Sequence, residues 1–216
     1  MVRTFSLLVH VLFKRSSYFN ILPCSLGDYY KGGLSSKVKC IVSEEYDRAA
    51  PRGVGHVKVA GNYAADLLPN YEHKQEGYPI TLYLDAKTNS LVEEFSTSNF
   101  VGLNSRDKKY VTPASSSVLP SITNLSLQTI AADVLGYEVE RRDIRVDEIG
   151  DFDEVVACGT AVVVTPIGSI KNGQDEYNFG NSDEIGDVTM ELYKHVRAIQ
   201  NGEAEDKYGW NVQVYA

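Results

Sequence analysis

Short runs in which apolar and polar residues alternate are spread along the chain and predict strands. They are rich in β-branched and aromatic residues, which favour a pleated and half-buried surface. Six runs fit this pattern, and they cover residues 38–43, 56–59, 79–85, 109–113, 138–144 and 161–167. The residues around Glu93 and Glu94, and those before the small-residue turn 157–161, also favour extended structure.

Three segments have apolar residues at the spacing of an amphipathic helix. In the first, Asn62 is the expected N-cap and Pro69 predicts a kink or an early end. The second is closed by Gly136 and the third ends at Asn201 and Gly202. The apolar positions are Ala64, Leu67, Leu68 and Tyr71 in the first helix, Leu127, Ile130, Ala131, Val134 and Leu135 in the second, and Val188, Leu192, Val196 and Ile199 in the third.

The order of these elements favours one fold class over another. Several strands separate each helix from the next, so the chain does not follow the strict alternation of a doubly wound parallel sheet. We therefore predict an α/β (α+β) fold in which a mixed sheet or barrel carries flanking helices. The length of 216 residues suits one large domain, or one domain with an appendage.

Charge and cysteine content narrow the classes of partner. The formal net charge is −8 and the pI is near 5.0, so we expect no basic surface for nucleic acid. Cys24, Cys40 and Cys158 are widely spaced and form no CxxC pair, which indicates a reducing compartment rather than a disulfide scaffold. The four histidines show no metal-ligand spacing, and no apolar run is long enough to span a bilayer. We predict no metal and no membrane partner.

Residues 1–26 differ in composition from the rest of the chain. They carry Arg3, Lys14, Arg15 and several serines but no acidic residue, as a transit peptide does. A strand, or an altered start of the chain, is the alternative. We predict that this atypical segment precedes a domain of residues 27–216, and that the protein is cytoplasmic, with a mitochondrial address as the alternative.

Lys58 lies between two valines, at the end of a predicted strand. Most lysines on strands keep the amine in water, and this is the ordinary interpretation. The chemical interpretation is that a lysine in a partly desolvated pocket has a lowered pKa and can form a Schiff base. The local pattern leaves both open.

Two segments are candidates for binding an anion. Residues 118–124 lead directly into the second helix, where backbone N–H groups and the helix dipole favour negative charge. Residues 157–161 form a turn of small residues, in which Gly159 permits close approach and Thr160 can donate a hydrogen bond. Ser121 or Thr123 can equally serve as a simple helix cap.

Glu93 and Glu94 are adjacent on a predicted strand, so their side chains should point to opposite faces. We expect one to face outward and one inward, and an inward carboxylate needs a cationic partner such as a protonated pyridine nitrogen. The alternative is that both lie on an exposed edge. Cys158 is either reactive or, more simply, a small buried residue.

Taken together, these motifs resemble one enzyme family. Lys58 followed by Gly61-Asn62-Tyr63, Glu94 with Asn99 five residues later, LPSIT at 119–123, and ACGTA followed by TPIG resemble the branched-chain aminotransferases. These are pyridoxal-phosphate enzymes of fold type IV. The resemblance extends from about Gly27 to the C-terminus and includes YDRAAPRG and EDKYGW. It favours the chemical interpretation of Lys58.

The resemblance implies a role for each matching residue. Lys58 would be the Schiff-base lysine and would carry the proton between the substrate carbon and the cofactor, while Tyr63 would meet the phenolic oxygen. Glu94 is preferred to Glu93 because of its spacing to Asn99, and it would hold the pyridine nitrogen protonated. The other residues that match cofactor-binding positions of the family are Asn99, Leu119, Ile122, Thr123, Gly159 and Thr160. The backbone of Thr160 and Ala161 matches the position that receives the substrate carboxylate.

The implied reaction is reversible transfer of the amino group of leucine, isoleucine or valine to 2-oxoglutarate, with pyridoxal 5'-phosphate as cofactor. Its partners are amino acids and 2-oxo acids, and the resemblance implies a homodimer. Residues before Gly27 do not resemble the small domain that precedes this region in the family, so we expect a truncated or split form with weak activity. Asn124 stands where many relatives have arginine, and we expect it on an exposed helical turn.

Two alternatives remain at this point. Another fold type IV enzyme, such as a D-amino-acid transaminase or aminodeoxychorismate lyase, would share the lysine and the glutamate. A catalytically inactive remnant that dimerises would need neither residue. The amino-acid sequence around Gly61 and the sequence TPIGSI favour the branched-chain group.

Overall fold

The computed structural model describes residues 5–10, 18–23, 34, 36–180 and 184–212 of the chain. Within these residues it contains a two-stranded sheet, a nine-stranded mixed sheet and three α-helices. The predicted α/β class with a mixed sheet and flanking helices is confirmed.

The secondary-structure elements follow one another with several strands between helices. The strands are β1 Phe5–His10, β2 Tyr18–Pro23, β3 Val38–Val42, β4 Ile80–Leu84, β5 Val92–Phe95, β6 Ser98–Asn104, β7 Lys109–Pro113, β8 Glu138–Arg142, β9 Glu154–Gly159, β10 Val163–Asn172 and β11 Asp175–Asn178. The helices are α1 Ala60–Gln75, α2 Ile122–Asp133 and α3 Asp187–Asn201, with a 3₁₀ helix at Val146–Asp151.

Strand pairing closes part of the large sheet into a barrel. β3 pairs in parallel with β4 and β10, and antiparallel pairs join β4 to β5, β5 to β6, β6 to β9 and β9 to β10. This ring of six strands has no free edge, which removes the unpaired backbone groups of an open sheet. β7 and β8 extend the sheet from β6, and β11 extends it from β10.

Two hydrophobic clusters hold the fold together. All six strands of the ring contribute to the first, which includes Phe95, Phe100 and Ile167. The second joins the opposite face of β6, β9 and β10 to Leu127 of α2 and Leu192 of α3. Neighbouring residues of a strand point to opposite faces, so one run of apolar residues serves both clusters.

Helices α2 and α3 match the spacing of their apolar residues. Leu127 and Ile130 of α2, and Leu192 and Val196 of α3, are buried. Gly136 has φ +68° just beyond the end of α2, and Gly202 caps α3 with φ +72°. Glycine adopts this left-handed conformation without a Cβ penalty, as both sequence patterns predicted.

The prediction of a strand at residues 56–59 is wrong, because this segment is a series of tight turns. The Val57 N–H donates to Val54 O and the Val59 N–H to Val57 O, both at 2.9 Å. The Asn62 Nδ2 group donates to the carbonyls of Val54 and Val57 at 2.9 and 2.8 Å. These local bonds occupy backbone groups that a sheet ladder would need, despite the strand propensity of valine.

The start and course of α1 also differ from the prediction. Val59, not Asn62, is the N-cap residue, and Asn62 lies in the first turn with its side chain bonded to the preceding loop. Pro69 lies inside the helix, which continues to Gln75 instead of ending early. Pro69 and Asp66 are the buried residues of α1, whereas Leu67 and Tyr71 are 72% and 66% exposed.

Part of the atypical segment 1–26 lies outside the described residues. Within it, β1 and β2 form an antiparallel pair that is separate from the large sheet. Cys24 and Gly27 are not among the described residues, so the proposed division of the chain at residue 27 stays a prediction.

Candidate active site

The carboxylate of Glu94 is the centre of a buried cluster that we call the glutamate side, formed by Arg48, Glu94, Asn99 and Leu119. Glu94 Oε1 lies 2.6 Å from Arg48 Nη2 and accepts a hydrogen bond from the Leu119 N–H at 3.2 Å. Glu94 Oε2 accepts one from Asn99 Nδ2 at 2.9 Å, and that amide also donates to Leu119 O at 3.1 Å. Three residues predicted from sequence thus lie in contact.

The spacing between Glu94 and Asn99 has a local cause. β5 and β6 form an antiparallel pair in which Glu94 lies directly opposite Asn99 and Phe95 opposite Ser98. Residues directly opposite in such a pair have Cβ atoms about 5 Å apart, within reach of a carboxylate and an amide. The interval of five residues therefore corresponds to a tight turn between these strands.

Glu93 and Glu94 are both buried, each 4% exposed, so neither the expectation of one outward side chain nor that of an exposed edge is correct. Glu93 Oε1 accepts a hydrogen bond from Ser115 Oγ at 2.6 Å. Among the described residues, Glu93 Oε2 has no hydrogen-bond donor. The two carboxylates therefore have different partners, and Glu94 has more of them.

The buried carboxyl groups of Glu94, of its neighbour Glu93 and of Asp66 outnumber the buried guanidinium of Arg48 that acts on them. Burial raises the pKa of Glu94 to about 7, against the opposing effects of Arg48, the Leu119 N–H and Asn99, and Glu93 raises it further. Burial also raises the pKa of Glu93 and of Asp66 on α1, and Arg48 acts on all three carboxyl groups. One guanidinium cannot neutralise three carboxylates, so the cluster favours either bound protons or a further cation.

Lys58 and Tyr63 form the lysine side of the site. Lys58 Nζ donates to the Tyr63 hydroxyl at 2.7 Å and lies 5.4 Å from the centre of its ring. Lys58 is exposed and Tyr63 is 38% exposed, so this chain does not enclose the amine. Within the described residues, neither side chain forms a hydrogen bond with Glu94, Thr123 or Thr160.

The turn before α2 has the conformation of a capped helix start. Ser121 is the N-cap, and its hydroxyl accepts a hydrogen bond from the Asn124 N–H at 3.1 Å. Ile122 and Thr123 are the first two helical residues, where N–H groups lack partners within the helix. Ile122 is 77% exposed, which leaves this end of α2 accessible.

The expectation that Asn124 lies on an exposed turn is wrong. It is buried, and its side-chain oxygen accepts a hydrogen bond from Tyr110 at 2.7 Å while its amide donates to Thr112 Oγ1 at 2.9 Å. Asn124 thus fastens the start of α2 to β7. An arginine side chain would not fit this buried, doubly hydrogen-bonded position without rearrangement.

The second candidate anion turn follows β9, next to the glutamate side. Asn99 pairs with Cys158 across β6 and β9, which brings Gly159 close to this cluster, while Thr160 and Ala161 are exposed. A methyl group on Gly159 would meet Ser98 Cβ at 3.7 Å, an ordinary contact. No neighbouring protein atom among those described therefore demands glycine at this position.

Val163 ends the same turn in a strained conformation. Its φ is +66°, which is unfavourable for a β-branched residue, and the Val164 N–H donates to Val162 O at 2.9 Å.

Cys158 is fully buried on β9, and burial raises the pKa of its thiol. This is the behaviour of a small core residue rather than of a reactive thiol.

Arg48 is the member of the glutamate side that sequence reasoning missed. It lies in YDRAAPRG, a segment that contributed to the resemblance but received no role. A buried carboxylate needs a cationic partner, and that requirement pointed to a cofactor alone. No local spacing connects Arg48 to Glu94, because the contact depends on the closure of the fold.

Comparison with known proteins agrees with this geometry. The profile of the amino-transferase class IV family matches residues 25–170. The chain belongs to the class IV aminotransferases. As a member of this family it is 43% identical, over 201 residues, to a branched-chain-amino-acid aminotransferase from Haemophilus influenzae, a match that covers 91% of the chain and 58% of that protein.

Solved structures of relatives share the fold of this class IV aminotransferase. A branched-chain amino acid aminotransferase of Escherichia coli superimposes with a TM-score of 0.74 at 30% identity. The match covers 88% of the chain described here and 60% of the Escherichia coli chain. The enzyme from Thermoproteus uzoniensis, solved with norvaline, gives 0.71 at 26% identity, with 87% and 58% covered. A further branched-chain enzyme was solved in complex with N-(5'-phosphopyridoxyl)-L-glutamate and gives 0.69 at 28% identity. The chain thus spans little more than half the length of these relatives.

The described ranges offer neither a metal site nor a membrane span. Residues 36–180 and 184–212 contain no group of three or more His, Cys, Asp or Glu side chains that could hold a metal ion. No helix in this part of the chain is long and apolar enough to cross a membrane. Cys40 and Cys158 are both buried free thiols.

Proposed function

We propose that this chain carries the cofactor-binding half of a branched-chain amino acid transaminase, which uses pyridoxal 5'-phosphate to transfer the amino group of leucine, isoleucine or valine to 2-oxoglutarate. Support comes from the class IV family match and from the names of the similar proteins. The single observation that carries the proposal is the buried Glu94 carboxylate, held by Asn99 and Leu119 beside both candidate anion turns.

The glutamate side fits a cationic ring nitrogen. Glu94 has a pKa raised to about 7 by burial, and the cluster around it holds three carboxyl groups for one arginine. A protonated nitrogen next to Glu94 would supply the missing positive charge. Oε2 of Glu94 accepts one hydrogen bond among the described residues, so it can accept a second one.

The remaining residues suit the other groups of the cofactor and the substrate. The N–H groups of Ile122 and Thr123 point out of the start of α2, where the helix dipole favours a phosphate. Gly159 offers space without a clash, and we assign Thr160 and Ala161 to the second phosphate contact and the substrate carboxylate. Lys58 is the proposed covalent attachment point, and Tyr63 is the proposed partner of the phenolic oxygen.

The proposed chemistry divides between cofactor and protein. Pyridoxal phosphate, when bound, supplies an electron sink that allows a proton to leave the substrate α-carbon. Lys58 Nζ would take up and return that proton, with the Tyr63 hydroxyl 2.7 Å away to orient it. Glu94 would keep the opposite end of the ring charged, and Asn99 would hold Glu94 in place.

Borohydride reduction in the presence of pyridoxal phosphate tests the attachment. We expect mass spectrometry to find the reduced adduct on Lys58 and to find none in Lys58→Ala. The matched control is Lys74→Ala, which removes another exposed lysine near the end of α1 and should leave the adduct unchanged. An unlabelled Lys58 in folded protein would favour a catalytically inactive remnant.

The choice of amino donor tests the reaction. We expect leucine, isoleucine or valine to convert the bound cofactor to its amine form, followed spectroscopically in a single turnover. D-alanine as the better donor would favour a D-amino-acid transaminase instead.

We also propose that the protein is a homodimer. α1 presents Leu67, Leu68 and Tyr71 on its outer face, with exposures of 72%, 53% and 66%, which is a large apolar surface for one helix. Sedimentation should show a dimer that Leu67→Glu weakens. Leu125→Glu on α2, at a site 48% exposed, serves as the control, and equal effects would argue against an interface on α1.

The proposed location is the cytoplasm, with the mitochondrion as the alternative. Cys40 and Cys158 are free thiols in the core, which suits a reducing compartment. Fractionation of cells with an antibody against the chain distinguishes the two locations.

A further inference from the structure

Arg48 connects three segments that carry proposed cofactor contacts. Its Nη2 lies 2.6 Å from Glu94 Oε1 on β5 and donates to Ser117 O at 2.5 Å in the loop that leads to Leu119 and α2. The same nitrogen lies 3.4 Å from Gly55 O, just before Lys58. The side chain is 6% exposed, so solvent cannot replace these contacts easily.

The segments that Arg48 connects approach one another closely. A methyl group on Gly55 would lie 2.3 Å from Ser117 O and 3.0 Å from Arg48 Nη2, so the two loops meet where only glycine fits. Among the described residues, the buried Nε of Arg48 has no hydrogen-bond acceptor, so its anchoring depends on the Nη2 contacts given above. The Nη2 atom of Arg48 is therefore the point at which the loop of Gly55, the loop of Ser117 and the carboxylate of Glu94 all contact the arginine.

We propose that Arg48 is a positioning residue of the cofactor site, which fixes the Glu94 carboxylate and keeps the loop of Lys58 and the loop before α2 in one arrangement. This inference rests on the proposed function of Glu94 as the partner of the cofactor ring. Arg48 itself need not touch cofactor or substrate. Its guanidinium geometry matters, because a lysine would carry the charge without the fork of donors that reaches several acceptors.

The charged and titratable groups around Glu94 come from several elements. Arg48 approaches from the loop after β3, Glu93 precedes Glu94 on β5, Cys158 faces it from β9, and Asp66 of α1 interacts with Arg48. Of these four, Arg48 is the group that favours the ionised carboxylate of Glu94. Its replacement by a neutral residue should make that carboxylate harder to ionise.

The first test uses the protein without cofactor. Carbon-13 NMR follows the carboxyl carbon of Glu94 through a pH titration, with Glu94→Gln identifying the signal. We expect the midpoint to rise by at least about one pH unit in Arg48→Gln and by less than about half that amount in Arg48→Lys. Arg52→Gln, an exposed arginine of the same loop, should leave the midpoint unchanged. Equal midpoints in wild type and folded Arg48→Gln would overturn the proposal.

The second test measures pyridoxal phosphate affinity by absorbance titration. We expect Arg48→Lys to bind at least about tenfold more weakly than wild type while its near-ultraviolet circular dichroism is retained, and Arg52→Lys to bind as wild type does. If Arg48→Gln does not fold, Arg48→Lys decides, and wild-type affinity in that variant overturns the proposal. Wild-type protein that binds no cofactor contradicts the proposed function, whereas the NMR titration still decides the role of Arg48.

Discussion

The glutamate side and the lysine side of the site differ in what holds them in place. Glu94 is buried, and its oxygens are within hydrogen-bond distance of groups from three other segments of the chain. Lys58 is exposed and is held by a tyrosine five residues away. One side is built by the tertiary fold and the other by a single loop and the first turn of α1.

This difference predicts how substitutions on the two sides should affect the free energy of unfolding. Removing a partner from a buried charge leaves an uncompensated group in a medium of low dielectric constant, which is costly. Removing an exposed side chain with one local contact changes the free energy of unfolding little. Substitutions on the glutamate side should therefore change both cofactor binding and the free energy of unfolding. Substitutions on the lysine side should change the chemistry but hardly the free energy of unfolding.

The largest effect on stability is expected for Arg48→Gln. Breaking a buried ion pair typically costs about 3–5 kcal/mol, and here it leaves three buried carboxyl groups without their guanidinium. Urea unfolding at pH 8 measures the change. Arg145→Gln, which breaks an exposed pair with Asp147, is the control and should destabilise the protein far less than Arg48→Gln does. Equal losses would remove the distinction between buried and exposed charge.

The pH dependence of stability should show the surplus of buried carboxylates. The pKa of Glu94 is raised from 4.5 to about 7, so its contribution to stability is fully present below about pH 4.5 and is lost as the pH rises through 7. The free energy of unfolding should fall between about pH 5 and 7, by at most about 1.4 kcal/mol per pH unit for each such group. Glu93 and Asp66 are shifted in the same direction.

Glu94→Gln should make this decline shallower. The control is Glu140→Gln, because Lys109 and Arg142 lower the pKa of Glu140 and its contribution is lost only as the pH falls below about 4.5. Unfolding measured by urea at pH 5, 6 and 7 gives the slope. A stability that rises over this range in the wild-type protein would contradict the charge balance described for the glutamate side.

Much of the fold follows from local pattern, and its failures have physical causes. The periodicity of α2 and α3 locates both helices and their buried faces, since both pack on the barrel through their apolar residues. The periodicity of α1 locates the helix but not its buried face, because Asp66 points inward and Leu67 outward. Local hydrogen bonds around Val57 outweigh its strand propensity.

The site was predictable where its residues share a short segment. Glu94 and Asn99 face each other across a tight turn, so their spacing records the contact. Arg48 and Asp66 could not be found in this way, because they approach the glutamate side from distant segments and depend on tertiary closure. The alternation of side chains along a strand also could not predict that Glu93 and Glu94 are both buried, since a barrel strand can be covered on both faces.

A smaller effect is expected from Tyr83→Phe at the edge of the glutamate side. The Tyr83 hydroxyl donates to Asp66 Oδ1 at 2.6 Å, and both residues are buried. Loss of a buried hydrogen-bond donor to a carboxylate typically costs about 1.5–3 kcal/mol. Urea unfolding measures the cost, and Tyr46→Phe, which removes an exposed hydrogen bond from a tyrosine hydroxyl to Glu72, is the control. A cost below that of the control would show that Asp66 finds another donor.

The smallest effect on stability is expected for Lys58→Met, although it should abolish covalent capture of the cofactor. Lys58 is exposed and contacts Tyr63, so its removal should change the free energy of unfolding by no more than about 0.5 kcal/mol. Urea unfolding and borohydride labelling of the same preparation measure both properties. A large loss of stability in this variant would mean that the lysine is part of the core structure, and the contrast between the two sides would then disappear.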